Sequence, residues 1–192
     1  LFSMPMYTAD IDLTSMPDLG SVEFNEFWDL NQSRDRKILA RSEWAAIRTQ
    51  VDHCLGEFFH HYLQAADNVN LAITDSWINR YDSAQAQPRH FHSNSVFSGV
   101  LMLCDHAAKI NYYTPHRSNY RWAAVNQNIW NSTSWSMPTT RGLLIITPST
   151  LDHQTDANSS GVTRWSMAFD TEILGDPNWV DSRPDSLGNL RI

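Results

Sequence analysis

His90 and His92 flank Phe91, His153 follows far downstream, and Arg164-Trp165-Ser166 lies beyond that. Alternate residues of a strand face the same side, so an extended His90-Phe91-His92 would turn both imidazoles into one space. A third imidazole from a later strand could complete a facial set of nitrogen donors, leaving positions on a metal open for substrate and oxygen. Arg164 follows His153 by eleven residues, enough chain for a turn and a return strand beside it. A guanidinium there could grip a carboxylate with two parallel hydrogen bonds. Ser166, two residues on, would face the same way. The chemistry these residues describe is a metal with open positions beside an anchored carboxylate.

Elements that could hold such residues follow from the apolar pattern. From Trp44, apolar residues recur at Ile47, Val51, Leu55, Phe58 and Tyr62, one face of an amphipathic helix, with Ser42 as its expected N-cap. A shorter helix is expected over Val22 to Leu30, after the turn region Pro17 to Gly20. His60 and His61 are adjacent on the long helix, diverge by about 100°, and are poorly placed to share a metal. From Leu71 onward the texture changes. Strands are expected over Leu71–Tyr81, Arg89–His92, Val96–Leu103, Lys109–Thr114, Gly142–Pro148 and Thr163–Thr171. Between them, His116–Pro138 is polar and Trp-rich and reads as a long loop with short irregular strands. Many short strands with turn signals between them suggest a barrel or jelly roll. The expected class is therefore mainly β with a helical N-terminal third (α+β).

Composition narrows the function classes. The chain has 192 residues, 42% of them hydrophobic, with a formal charge of -7 and a pI near 5.5. One domain over 1–192 is expected: a helical support region 1–68, a β core 69–175 and a tail 176–192. The acidic balance argues against nucleic-acid binding, which shows as a basic patch or stripe. Cys54 and Cys104 make no disulfide framework, so a reducing cytoplasm is the default. No apolar run approaches the roughly 20 residues of a membrane span. The start, Leu1-Phe2-Ser3-Met4-Pro5, lacks the basic region and apolar core of a secretion signal.

Several segments resemble one family in order and spacing. These are Ser76-Trp77-Ile78-Asn79, His90-x-His92-x-Asn94-Ser95-x-x-Ser98-Gly99-Val100, Gly142-Leu143-Leu144, Pro148-Ser149-x-Leu151-x-His153 and Arg164-x-Ser166-x-x-Phe169. Leu1-Phe2-x-x-Pro5 and Leu174-Gly175 are similar as well, so the resemblance spans nearly the whole chain. The family is that of the 2-oxoglutarate/Fe(II) oxygenases of marine bacteria and their phages. The resemblance implies a double-stranded β-helix (jelly roll, cupin-like) with iron in its mouth. It also implies oxidative decarboxylation of 2-oxoglutarate to succinate and CO2, coupled to hydroxylation of a substrate. By position, His90, His92 and His153 would be the metal ligands. Arg164 would pair with the distal carboxylate of 2-oxoglutarate, and Ser166 would donate to it. Asn79 and Tyr81, on the strand before the His-x-His, would line the cosubstrate pocket.

The chain departs from the better-known pattern at two points. Two histidines and one carboxylate are the usual set, yet His92 stands where the carboxylate would. Three readings stay open: a three-histidine site; His92 as first ligand with Asn94, a halide or water beyond it; or a carboxylate from Asp152 or Asp105. Met102 stands where the family often has Tyr. Two other classes also stay open. One is a cupin-like metal enzyme without 2-oxoglutarate, which has no need of Arg164; the other is a non-catalytic jelly-roll binding protein. Trp122, Trp130 and Trp135, in the segment His116–Thr140, are expected to form a substrate lid or to pack over a barrel end. The substrate, a small molecule or a peptide, is not disclosed, and a homodimer is left open.

Overall fold

Stretches that alternate or run apolar become strands in the computed structural model, which describes residues 4–115, 126, 128 and 131–175. The described strands are β1 (Tyr7–Asp10), β2 (Phe24–Phe27), β3 (Leu30–Ser33), β4 (Val69–Tyr81), β5 (Phe97–Met102) and β6 (His106–Tyr113). They continue as β7 (Ser134–Thr139), β8 (Leu143–Pro148), β9 (His153–Thr155) and β10 (Arg164–Gly175), and the helix is α1 (Ala45–Gly56). Seven strands form one sheet in the order β1-β8-β5-β10-β4-β3-β2, and three form a second in the order β7-β6-β9. Every pairing between these strands is antiparallel. A large sheet and a small one built this way make a double-stranded β-helix of the jelly-roll, cupin-like kind.

The two faces of the large sheet do different work. Leu144, Ile146, Leu101, Met167 and Phe169 point outward and share one buried cluster with Trp44, Ile47, Val51, Leu55 and Phe58. Those last five are the stripe expected of the amphipathic helix, and burying each such side chain contributes ~1.5–3 kcal/mol. Residues one step along the same strands, Met102 and Ile145, face inward and cluster with Ile110 and Tyr112 of β6 and with Leu151. Period-2 alternation thus separates a packing face from an interior face.

Three local expectations are corrected. Val22 to Leu30 is no helix: Phe24–Phe27 and Leu30–Ser33 form a hairpin whose turn is Trp28-Asp29. Its alternation wins because β3 can pair with the edge of β4, at Asn31↔Arg80 and Gln32↔Asn79, while Phe24 packs on Trp165. Neighbouring strand edges override local helical preference. Ser42 does not cap α1. It opens a 3-10 turn, Ser42–Trp44, and the α1 N-cap position is Trp44, which makes no side-chain cap bond. A π-helical turn, Glu57–Tyr62, extends α1. Arg89–His92 forms no continuous strand, only a single bridge between His90 and His153, because the chain turns at Asn94, where φ is 62°. Within the expected loop His116–Pro138, Ser134 onward is strand, and Trp135 on β7 is 53% exposed. Trp122, Trp130, Leu1, Phe2 and the tail 176–192 lie outside the described residues. No described helix is long and apolar enough to cross a membrane.

Candidate metal centre and its anion pocket

Strand β10 carries the organising row. Its alternate residues Arg164, Ser166 and Ala168 face one interior cavity, while Met167 and Phe169 go to the helix-packed core. Neighbouring strands bring matching residues into register. Arg164 lies opposite Tyr81, Ser166 opposite Asn79 and Ala168 opposite Trp77 on β4. On the other side, Ser166 lies opposite Met102, Ala168 opposite Val100 and Asp170 opposite Ser98 on β5. The cavity holds ≈ 650 Å³ of unfilled space, its open mouth included, and His90, His92 and His153 line it together with Asn79, Tyr81, Arg164 and Ser166. All seven residues singled out in the sequence therefore converge on one space.

The three imidazoles form a compact set. Each offers one ring nitrogen, and these donor atoms all lie within 4.8 Å of one another. Backbone hydrogen bonds pin two of them across strands: His90 N donates to His153 O at 2.9 Å, and His153 N donates to His90 O at 2.8 Å. His92 N donates to Ser149 O at 2.9 Å. The side chains are also held from behind. His90 Nδ1 donates to Pro88 O at 2.8 Å, His153 Nδ1 to Leu151 O at 3.0 Å and His92 Nδ1 to an Asp170 carboxylate oxygen at 2.7 Å. A carbonyl or ionised carboxylate only accepts, so Nδ1 carries a proton and Nε2 is the nitrogen each neutral ring turns to a metal. That is the tautomer a metal needs, and partners of this kind fix ligand orientation.

Electrostatics favour the neutral ring at His153 and His90. Burial pushes the His153 imidazole down to about 3, with His90 and His92 beside it adding to the effect. His90 is lowered for the same first reason, against the hydrogen bond it makes to Pro88. Burial alone would raise the Asp170 carboxyl, but His92, Ser98 and Arg36 around it hold it below the usual carboxylate range. The proposed carboxylate ligands are engaged elsewhere: Asp152 accepts from Arg89 at 2.6 Å, and Asp105 accepts the Arg141 backbone N–H at 2.8 Å. Asn94 sits on its left-handed turn after His92. Among the described residues the metal-capable group is His90, His92 and His153.

At the other end, Arg164 is 2% exposed. Its Nη2 donates to Thr155 Oγ1 at 3.0 Å, its Nη1 to Asp156 O at 3.3 Å, and its guanidinium carbon lies 3.8 Å from the centre of the Tyr81 ring. No carboxylate among the described residues forms an ion pair with it. Burial lowers its affinity for its proton, yet guanidinium stays charged in proteins. Tyr81 is buried, which raises its phenol, and its hydroxyl interacts with Thr155, Ser166 and Arg164. Asn79 is committed differently: its Oδ1 accepts from Trp77 Nε1 at 3.1 Å and from Gln32 Nε2 at 3.0 Å.

Sequence reasoning passed over several residues that line this cavity or stand behind its histidines. Thr155 is two beyond His153, and Asp170 is four beyond Ser166, so even spacing along a strand could have found both. Tyr112 lines the cavity from β6, its ring 5.6 Å from that of His153, so the cavity has phenols although Met102 supplies none. Gln32 carries no such signal, because only the unexpected hairpin brings it near. Trp28 at that hairpin's tip is 57% exposed, and its ring meets His90 edge-on at 5.9 Å.

A double-stranded β-helix with three converging imidazoles and a buried guanidinium in one cavity defines a class of metal-dependent enzyme. The family model described as "Putative 2OG-Fe(II) oxygenase" matches residues 75–170, half of the 192-residue chain. The chain belongs to the 2OG-Fe(II) oxygenase family. The matched span contains all seven residues above. Solved structures share the fold at low identity. An oxidoreductase of the 2OG-Fe(II) oxygenase family from Burkholderia pseudomallei is 14% identical, with 79% of this chain and 72% of that chain covered and a TM-score of 0.57. The non-heme alpha ketoglutarate dependent epimerase SnoN of nogalamycin biosynthesis is 13% identical over 90% of this chain and 79% of that one, at 0.59. HygX from Streptomyces hygroscopicus, solved with nickel and 2-oxoglutarate bound, is 13% identical over 80% and 74%, at 0.54. No curated protein matches the chain.

Proposed function

We propose that this protein is a 2-oxoglutarate-dependent Fe(II) dioxygenase that hydroxylates a small-molecule or peptide substrate, with release of succinate and CO2. One observation carries the reading: a buried guanidinium without a carboxylate partner among the described residues shares a cavity with three converging imidazoles. A buried charge left unpaired is costly, and the far carboxylate of a dicarboxylate would neutralise it. His90, His92 and His153 would hold the iron through Nε2. Arg164, with the hydroxyls of Ser166 and Tyr81, would hold the distal carboxylate of 2-oxoglutarate, and Asn79 would stiffen the strand between the two ends through Trp77 and Gln32.

When bound, iron and 2-oxoglutarate supply the oxidising chemistry. The protein's own part is orientation and exclusion of water. Met102, Val100, Ile110 and Ala168 give the cavity part of its lining as apolar wall, which strengthens the charged contacts beside it. The finer resemblance, to oxygenases of marine bacteria and their phages, rests on the order of motifs from Ser76 to Phe169. Cys54 and Cys104 are both free, in keeping with a reducing, cytoplasmic setting, and the charge of -7 disfavours a nucleic-acid substrate. One catalytic domain over 1–192 is the organisation we take.

Anaerobic addition of Fe(II) and then 2-oxoglutarate tests the reading. A visible absorption band that needs both, and slow succinate formation in air without substrate, are expected. Metal binding without either result would transfer the protein to the cupin-like enzymes that use no 2-oxoglutarate. Absence of metal binding would leave a jelly-roll binding protein.

A further inference from the structure

Three neutral imidazoles leave a divalent metal with its full double charge, whereas two imidazoles and a carboxylate would offset half of it. The chain nevertheless places a carboxylate at this site, one residue removed from the metal position. We infer that Asp170 is a positioning residue that supplies the negative charge of the missing carboxylate ligand through the His92 ring, making a three-histidine site behave electrically like a two-histidine, one-carboxylate site. The inference rests on the proposed iron site and gives a role to Asp170, which none of the sequence motifs contains.

The geometry is a closed ring of hydrogen bonds. His92 Nδ1 donates to Asp170 Oδ1 at 2.7 Å, and Ser98 Oγ donates to the same oxygen at 2.7 Å. Ser98 and Ser149 hydroxyls lie 2.6 Å apart, and Ser149 O accepts the His92 backbone N–H at 2.9 Å. The ring therefore fixes His92 by both its backbone and its side chain. The hydrogen-bonded pair is largely out of water: the His92 and Asp170 side chains are 11% and 16% exposed. At that depth a carboxylate polarises an N–H strongly, and partners of this kind raise the basicity of a ligating imidazole. The Trp77 ring stacks near that of His92, with centroids 5.7 Å apart, and adds to the packing that holds the imidazole against its acceptor. His90 and His153 are backed by neutral carbonyls. The asymmetry singles out His92, the residue that occupies the position of the usual carboxylate.

The test compares wild type, Asp170→Asn and Asp170→Glu. Affinity is measured with Co(II) and Fe(II) under anaerobic conditions, together with the Fe(III)/Fe(II) potential and the visible spectrum of the Co(II) form. In Asp170→Asn, metal affinity should fall about 10- to 100-fold and the potential should become more positive, because the charge that favours Fe(III) is gone. An unchanged Co(II) band pattern would show that three imidazoles still bind. Asp170→Glu should recover part of both losses. Ser98→Ala keeps the carboxylate but removes a donor that competes for it, so its potential should move in the opposite direction, and this arm stands even if Asp170→Asn fails to fold. Equal affinity and equal potential in wild type and Asp170→Asn would overturn the inference. So would a Ser98→Ala potential that does not become more negative, or a loss of affinity in Asp170→Asn without a shift in potential, which marks a merely structural carboxylate. Wild type that binds neither metal would instead overturn the iron-site reading itself.

Discussion

Arg164 and the histidines make separable contributions, which allows each to be tested alone. Hydrogen bonds to a charged group contribute roughly 1.5–3 kcal/mol, and Arg164 supplies a planar fork to whatever anion enters its cavity. Arg164→Ala should weaken 2-oxoglutarate binding by about one to two orders of magnitude, read by titration into metal-loaded protein. Arg164→Lys keeps the charge but loses the fork, so it should fall between the two. Metal affinity should barely change in either variant, since the guanidinium is held by Thr155 and Asp156 rather than by the imidazoles. His153→Ala behaves the other way: metal binding should be lost with the fold intact, as seen by circular dichroism. A variant that keeps stoichiometric iron would remove His153 from the ligand set.

Strand β5 is the element on which the site leans, because it carries Ser98, Val100 and Met102 on its interior face. Between them Gly99 must have no side chain. A Cβ there would lie 2.1 Å from the Phe169 ring, which is fully buried and faces Gly99 across the β10 pairing. The ring has no exit, so Gly99→Ala should cost about 1–3 kcal/mol or more through overpacking. The thermal midpoint should drop by roughly 2–4 °C for each kcal/mol in a chain of this size. Metal affinity should fall as well, because a shift of β5 displaces the Ser98 end of the ring that holds His92. A midpoint equal to wild type would mean that the two strands can separate at no cost. The β2–β3 hairpin contributes differently: it closes one end of the cavity with Gln32 and sets Trp28 against His90.

At the scale of the whole molecule, the metal-free site is a stored instability against acid. His153 binds its proton at about 3 in the folded protein and near 6.5 when unfolded. Between those values the unfolded chain holds a proton the folded one lacks, so stability is fully present above about 6.5 and is lost as pH falls toward 3. The lowered His90 imidazole and the lowered Asp170 carboxyl act with the same sign. Chemical denaturation of the metal-free protein from pH 7 to 4 should show a steep decline, made shallower by His153→Ala. A bound metal should raise the midpoint at pH 7 through binding to the folded state alone, with the gain shrinking on acidification as protons compete for the imidazoles.

Much of this site was legible in one dimension because strand alternation is local. The pleat puts every second side chain on one face, so Asn79 with Tyr81, and Arg164 with Ser166, could be grouped before any fold was known, and the helical stripe from Trp44 to Phe58 was equally plain. His90 and His92 also share a side, though a turn and a single bridge hold them rather than the strand expected there. What the sequence left undecided is which faces look at each other. That depends on pairing β4 with β10 and on docking β9 beside the His90 turn, contacts between residues far apart in the chain, whose closure entropy is repaid only by the completed core. Only the tertiary structure could therefore turn Val22–Leu30 into a hairpin and bring Gln32 to Asn79. It alone tied Asp152 to Arg89 and set Asp170 behind His92, where a carboxylate reaches the metal position through an imidazole because the sheet holds the two side chains 2.7 Å apart.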